Sequence, residues 1–98
     1  MITLPKPAVF VWDKGNSGKN LKKHGVGDQE AEEAFGDKRK VISRDVLHSR
    51  LEERFILLGQ SKKKKLLYIV FTFRGGNVRI ISARCINKKE ATLYEKKA

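Results

Sequence analysis

Residues 66–84 read LLYIVFTFRGGNVRIISAR, and this stretch decides the fold. Two apolar runs of strand length, residues 66–74 and 78–84, flank Gly75-Gly76-Asn77. Glycine adopts the positive φ of a tight turn at little steric cost, so the two runs are predicted to form an antiparallel hairpin.

Further strands are predicted upstream of this hairpin. Residues 52–59 contain the apolar run FILL, and residues 40–43 form a shorter apolar run. Residues 44–51 have the composition of a polar loop, and the lysine-rich residues 60–65 that of a basic turn. The sequence therefore predicts a four-stranded antiparallel meander.

Two helices are predicted before the meander. Asp13 is suited to cap a helix over residues 14–24, and Asp28 is suited to cap an acidic helix over residues 29–35. Gly25 directly follows the first of these helices, where a left-handed residue commonly ends a helix.

The two ends of the chain complete the predicted fold. Residues 87–90, NKKE, have the pattern of a capping box at the start of a C-terminal helix. Residues 9–12 are predicted to be a short strand, which gives the order β-α-α-β-β-β-β-α and an α+β fold. We expect residues 1–8 to form an extended lead-in and residues 9–98 to form a single domain.

Composition and charge limit the classes of function. The chain has 98 residues, enough for one core, and its 22 Lys and Arg against 11 Asp and Glu give a net charge of +11. This excess predicts affinity for a polyanion or for a strongly acidic protein partner. The single Cys85 excludes an internal disulfide. Without a signal-peptide pattern or a long apolar run, we expect a cytoplasmic protein that does not enter a membrane.

Several side chains are suited to RNA cleavage. Cleavage without a metal requires one group that takes the proton of the 2′-hydroxyl, another that protonates the departing 5′-oxygen, and cations that stabilise the transition state. Histidine titrates nearest to neutral pH, so His24 is a candidate acid or base. Glu53 is a candidate base or orienting group, and Arg54, Arg79 and Arg84 are candidate phosphate ligands.

Other residues are candidates for RNA binding without a part in the chemistry. Lys19, Lys22 and Lys23 lie on the predicted first helix and could contact phosphates. Tyr94 lies on the predicted last helix and could donate a hydrogen bond or stack on a base.

Plainer interpretations stand beside these roles. His24 could simply cap its helix, and Glu53 and Arg54 should point to opposite faces of a strand. Arg79 and Arg84 also have opposite parity unless a bulge intervenes. A basic module that binds nucleic acid without cleaving it is therefore the alternative to a ribonuclease.

Four motifs occur in an order and spacing that resemble a known family. They are Phe10-x-Trp12-Asp13, residues 20–26 (NLKKHGV), Glu53-Arg54 with Gly59, and residues 79–84 (RIISAR). Over residues 9–97 the chain resembles the BrnT toxins of bacterial type II toxin–antitoxin systems.

This resemblance implies a fold, an activity and a partner. The fold would be RelE-like, and the activity that of a small endoribonuclease that needs no cofactor or metal, inhibits translation and leaves 2′,3′-cyclic phosphate ends. The partner would be a BrnA-like antitoxin, a ribbon-helix-helix DNA-binding protein, in a heterotetramer of two toxins and two antitoxins. Operator DNA would be bound only through the antitoxin. The implied catalytic residues are His24, Glu53, Arg54, Arg79 and Arg84.

Overall fold

The predicted hairpin forms around Gly75 and Gly76. Both glycines have positive φ, 59° and 83°, as a two-residue hairpin turn requires when its twist matches that of the strands. The turn joins β3 (Leu66–Arg74) to β4 (Asn77–Cys85), and the two strands pair antiparallel along their length.

The other two predicted strands extend this hairpin into a sheet. In the computed structural model, which describes residues 3–48 and 51–97, β1 (Val41–Arg44) pairs with β2 (Phe55–Gln60), and β2 pairs with β3. The sheet order is β1-β2-β3-β4 and every pairing is antiparallel, so the predicted meander is confirmed. Residues 1–2 of the predicted lead-in, residues 49–50 of the predicted polar loop and residue 98 lie outside the described part.

Strand β4 contains one more residue than the segment of β3 that it faces. Ser82 lies opposite Val70, whereas Ile80 lies opposite Phe71, the next residue of β3. Ile81 is therefore a bulge, and side chains on either side of it change their alternation.

Three α-helices lie around the sheet in the described part of the chain: α1 (Lys19–His24), α2 (Asp28–Ala34) and α3 (Lys88–Lys97). A short 3₁₀ helix, Val46–His48, lies in the predicted polar loop. Helix α2 presents the small, fully buried Ala31 and Ala34 to the core, so the helix lies close to the sheet. None of these helices has the length and apolar content that a membrane span requires.

A cluster of buried hydrophobic side chains holds the elements together. It lies between α2 and one face of the sheet, and Leu4 and Ala8 of the N-terminal segment pack against it. Its largest fully buried side chains include Leu57, Ile69 and Phe71, in neighbouring strands.

Helix α3 begins as predicted. Asn87 Oδ1 accepts a hydrogen bond from the Glu90 backbone N–H, and Glu90 Oε1 accepts one from the Asn87 backbone N–H, each at 2.9 Å. This reciprocal pair is the predicted capping box, which satisfies two N–H groups at the helix start.

The N-terminal elements differ from the prediction. Residues 9–12 form a single parallel bridge, between Phe10 and Val78, where a strand was expected. Helix α1 starts at Lys19 and not at residue 14, and its N-cap is Gly18, which has a φ of 75° and provides no side-chain cap. Asp13 does not cap the helix because its carboxylate binds elsewhere, as described below.

Helix α2 starts one residue earlier than predicted. Asp28 is its first residue and Gly27 its N-cap. The Asp28 carboxylate accepts hydrogen bonds from the Ser17 hydroxyl at 2.7 Å and from the Gly18 backbone N–H at 3.1 Å. It therefore stabilises the turn before α1 as well as the start of its own helix.

Two buried asparagines complete the outer edge of β4. Asn16 Nδ2 donates to the carbonyls of Ile80 at 3.0 Å and Val11 at 2.9 Å. Asn20 Oδ1 accepts from the Ala83 N–H at 3.0 Å. These bonds satisfy edge groups that have no neighbouring strand, and the sequence did not predict them.

We expect Asn16→Ala to lower the free energy of unfolding by about 2–3 kcal/mol, because two carbonyls lose their donor. Urea denaturation followed by circular dichroism measures this loss. Lys14→Ala, an exposed neighbour, is the control and should change stability by less than about 0.5 kcal/mol. An equally small change for Asn16→Ala would contradict the assignment.

Candidate active site

Two of the predicted site residues project from the same face of the sheet. Arg79 lies opposite Thr72, and Arg84 lies opposite Tyr68. Thr72 and Tyr68 are an even number of positions apart on β3, so their side chains share a face. The bulge at Ile81 therefore overcomes the opposite parity of the two arginines in the sequence.

Two further arginines reach this face. Arg74 lies four residues after Val70 in β3, so the two side chains point to the same face. Arg54 lies two residues before Ile56, which is opposite Val70, so Arg54 points to this face as well. One carboxylate joins them, because Glu52 Oε1 lies 4.0 Å from Arg54 Nη2 and 3.5 Å from Arg74 Nη2. We call the surface formed by Arg54, Arg74, Arg79 and Arg84 the arginine face.

The guanidinium of Arg79 is held by Asp13. Nη1 donates to Asp13 Oδ2 at 2.8 Å and Nη2 donates to Oδ1 at 3.1 Å, which is a two-pronged ion pair. The Arg79 side chain is only 12% exposed. The hydrogen bonds from Arg79 and from the Gly15 N–H lower the pKa of the Asp13 carboxyl below its usual value.

The guanidinium of Arg84 is held by Glu90 and by an aromatic ring. Nη1 and Nη2 donate to the two Glu90 oxygens at 2.9 Å and 2.7 Å, and Cζ lies 4.0 Å from the centre of the Tyr68 ring. The hydrogen bond to Glu90 raises the pKa of Arg84. Partial burial opposes ionisation of Glu90, but the hydrogen bonds from Arg84 and the Asn87 N–H outweigh it and lower the Glu90 pKa.

His24 and the predicted RNA-binding lysines lie on α1, which packs beside β4. His24, Lys19, Lys22 and Lys23 are all exposed. Within the described part of the chain, the His24 side chain has no hydrogen bond or ion pair to the arginine face. The structure thus places an exposed basic helix beside β4, the strand that carries Arg79 and Arg84, without fixing the histidine.

A family model described as ribonuclease toxin, BrnT, of type II toxin–antitoxin system matches residues 12–90 of the chain. The chain belongs to the BrnT family. This finding confirms the resemblance predicted from the four motifs, and it makes the chain a ribonuclease toxin whose system includes an antitoxin. No curated protein matches the chain.

In this BrnT chain, Glu53 lies apart from the arginine face. Its side chain is 63% exposed, and Glu53 Oε1 lies 4.0 Å from Nη2 of Arg44, which is opposite the core residue Phe55. Glu53 and Arg54 thus point in opposite directions, as strand alternation predicts. The backbone carbonyl of Glu53, in contrast, accepts a hydrogen bond from the Thr72 hydroxyl at 2.7 Å.

Tyr94 is part of the packing between α3 and the sheet. The residue is only 7% exposed, and its hydroxyl donates to Asp37 Oδ2 at 2.6 Å. Burial and this hydrogen bond raise the pKa of Tyr94 to about 12. In this conformation the ring offers no open surface on which a base could stack.

Four residues of the BrnT arginine face or of the carboxylates that hold it were not predicted as site residues from the sequence: Arg74, Glu52, Asp13 and Glu90. Arg74 could have been found from its alternation with Tyr68 in the most apolar strand. Asp13 and Glu90 had been assigned to helix capping, and capping residues give no local signal of a distant ion pair. In the part of the chain that the structure describes, no three His, Cys, Asp or Glu side chains are grouped so that they could hold a metal ion.

We expect Tyr94→Phe to lower the free energy of unfolding by about 1 kcal/mol at pH 7, since a hydrogen bond to a carboxylate is lost. The folded pKa of Tyr94, about 12, exceeds its ordinary value of 10.0. The stabilisation should therefore be complete below pH 10.0 and be lost as the pH rises through about 12.

Urea denaturation at several pH values between 7 and about 12 tests this expectation. Tyr68→Phe is the matched control, because the described residues provide no hydrogen bond to the Tyr68 hydroxyl. A Tyr94→Phe loss that is no larger than that of the control would contradict a structural role for the Tyr94–Asp37 bond.

Proposed function

We propose that this BrnT chain is a metal-independent endoribonuclease whose active site is the arginine face. The 2′-hydroxyl of RNA attacks the adjacent phosphorus in line, and the bond to the 5′-oxygen breaks. The products are a 2′,3′-cyclic phosphate and a 5′-hydroxyl. The observation that supports this proposal best is that Arg79 and Arg84 project from the same face of the sheet because of the bulge at Ile81.

The arginines are the transition-state stabilisers in this proposal. Negative charge accumulates on the phosphate oxygens as the reaction proceeds, and guanidinium groups that are already oriented stabilise it without rearranging. Arg79 and Arg84 are each fixed by a two-pronged carboxylate contact. Each guanidinium has five N–H donors, so donors remain for a phosphate after the carboxylate is bound.

Proton transfer is assigned to His24 in this proposal. His24 is exposed beside β4 and takes the proton of the 2′-hydroxyl or delivers one to the departing 5′-oxygen. Water, which reaches this exposed surface, carries out the other proton transfer, so that both protons are accounted for. Glu53 receives no proton-transfer role here, because its carboxylate lies beside Arg44 and away from the arginine face. Lys19, Lys22 and Lys23 extend the basic surface along which an RNA backbone would lie.

The biological setting follows from the same proposal. Cleavage of RNA in the cytoplasm would inhibit translation, and a BrnA-like ribbon-helix-helix antitoxin would neutralise the toxin in a complex of two toxins and two antitoxins. Operator DNA would then be contacted by the antitoxin. The net charge of +11 supports a polyanionic substrate and an acidic binding segment in the antitoxin.

Purified protein incubated with total RNA in EDTA should produce fragments with cyclic-phosphate ends. We expect Arg84→Ala to lower the cleavage rate by about 10²–10³-fold, the usual effect of losing one preorganised transition-state contact. His24→Ala should lower it by about 10²-fold or more, as expected for a group that transfers a proton. Lys63→Ala, which removes one charge from an exposed turn, is the control for net charge.

Each outcome of this assay has a defined meaning. Undiminished cleavage by Arg84→Ala would show that the arginine face is not the active site. Salt-sensitive binding of RNA with no cleavage, even after ribosomes are added, would favour the alternative function of a non-catalytic nucleic-acid-binding module.

A further inference from the structure

Arg79 is enclosed by the turn that follows the N-terminal segment. Asp13 binds its two Nη atoms at 2.8 Å and 3.1 Å, and the Asp13 carboxylate is itself oriented by the Gly15 N–H at 2.7 Å. Asn16 ties the same turn to β4 through the Ile80 carbonyl. The turn therefore fixes both the strand and the side chain that projects from it.

Gly15 leaves the space that Arg79 occupies. A Cβ added at Gly15 would lie 2.6 Å from Arg79 Nη2, which is closer than carbon and nitrogen atoms approach without a bond. The φ of Gly15 is not in the left-handed region, so the backbone itself would accept alanine. The glycine is thus required by the guanidinium and not by the turn.

Two opposite effects of Asp13 on RNA cleavage have to be weighed. Its negative charge repels phosphate, but Asp13 is 55% exposed, and water and salt screen such a charge strongly. Its fixing of Arg79 has a larger effect, because a misplacement of about 1 Å in a catalytic group can cost about 10²-fold in rate. Positioning therefore outweighs repulsion.

We propose that Asp13 and Gly15 are positioning residues for Arg79, which hold its guanidinium where it stabilises the transition state of RNA cleavage. The consequence for catalysis rests on the proposed function, whereas the fixing of Arg79 can be observed without it. Asp13 acts by charge and hydrogen bonding and Gly15 by leaving space, so the two residues can be tested by different substitutions.

Asp13→Asn and Gly15→Ala are the two test variants. Asparagine has the shape of aspartate and retains an acceptor for the Gly15 N–H, but it lacks the charge that pairs with Arg79. Alanine at position 15 keeps the Asp13 charge, but its Cβ would lie 2.6 Å from Arg79 Nη2 and 3.0 Å from Asp13 Oδ1. It therefore displaces the guanidinium sterically and crowds the carboxylate that holds it. Both variants should lower kcat by about 10–100-fold and change KM by less than about threefold.

Two controls match these variants. Glu95→Gln makes the same change of net charge on an exposed part of α3. Gly27→Ala introduces a Cβ that meets no atom within 4 Å at a φ of −73°. In an Arg79→Lys background, Asp13→Asn should produce little further loss of kcat, since the group that it positions is already absent. A merely structural role would leave the two losses additive.

The guanidinium NMR signals of Arg79 report its fixing directly. In the wild type, rotation about the Cζ–Nε bond should be slow enough to give separate Nη signals, and both variants should merge them. Wild-type protein whose Arg79 signals are already merged would overturn the proposal.

The cleavage assay distinguishes a failure of the positioning role from a failure of the proposed function. Wild-type cleavage with Asp13→Asn as fast as the wild type, or faster, overturns the positioning role while the proposed function stands. If the wild type cleaves no RNA with or without added ribosomes, the proposed function fails and the proposed role of Asp13 and Gly15 in catalysis fails with it. The NMR signals would then show only whether the two residues fix the side chain.

Discussion

The single extra residue in β4 is the constraint on which the arrangement of this molecule depends. The backbone N–H and carbonyl of Val78 and the carbonyl of Ile80, two residues further on, form hydrogen bonds at the outer edge of β4. The next backbone group that forms a hydrogen bond at this edge is the N–H of Ala83, three residues after Ile80. The spacing changes from two residues to three because Ile81 is bulged. Without the bulge, either Arg79 or Arg84 would face the apolar core, where an arginine is costly to bury.

The same bulge explains why the backbone groups at the outer edge of β4 form individual hydrogen bonds and do not pair with a further strand of the described part of the chain. A regular edge strand could pair along its whole length with another strand, whereas a bulged edge interrupts the ladder of backbone bonds. Here the edge groups are satisfied one by one, first by the bridge at Val78 and then by the side chains of Asn16 and Asn20. The edge of the sheet and the turn beside Arg79 are therefore parts of one hydrogen-bonded unit.

How much could be predicted from the sequence depended on how local each feature is. The Gly75-Gly76 turn and the capping box at Asn87 involve residues within three positions of one another, and both were predicted correctly. The contact of Asp13 with Arg79 and that of Tyr94 with Asp37 join residues 66 and 57 positions apart in the chain. The bulge depends on the register of β4 against β3, which no local pattern specifies. Local capping preference assigned Asp13 to a helix start, but the charge of Arg79 offers its carboxylate a stronger partner.

How far the candidate site could be predicted also depended on how local each feature is in the sequence. Residue type and spacing identified the arginines, because a guanidinium group on an apolar strand is costly to bury unless it pairs with a carboxylate or binds a phosphate. Spacing did not reveal that Glu53 pairs with Arg44, since that contact depends on the register of β1 against β2. The RelE-like fold and the roles of individual residues remain expectations from the family resemblance.

The arginine face also requires both ends of the folded chain. Asp13, which precedes all regular elements, holds Arg79, and Glu90, in the first turn of the last helix, holds Arg84. The family match spans residues 12–90 and so includes both carboxylates near its limits. In a protein with a net charge of +11, four arginines on one surface repel one another. The carboxylates of Asp13 and Glu90 offset this repulsion at Arg79 and Arg84. The ion pairs that build the site therefore also attach the two end segments of the chain to the sheet.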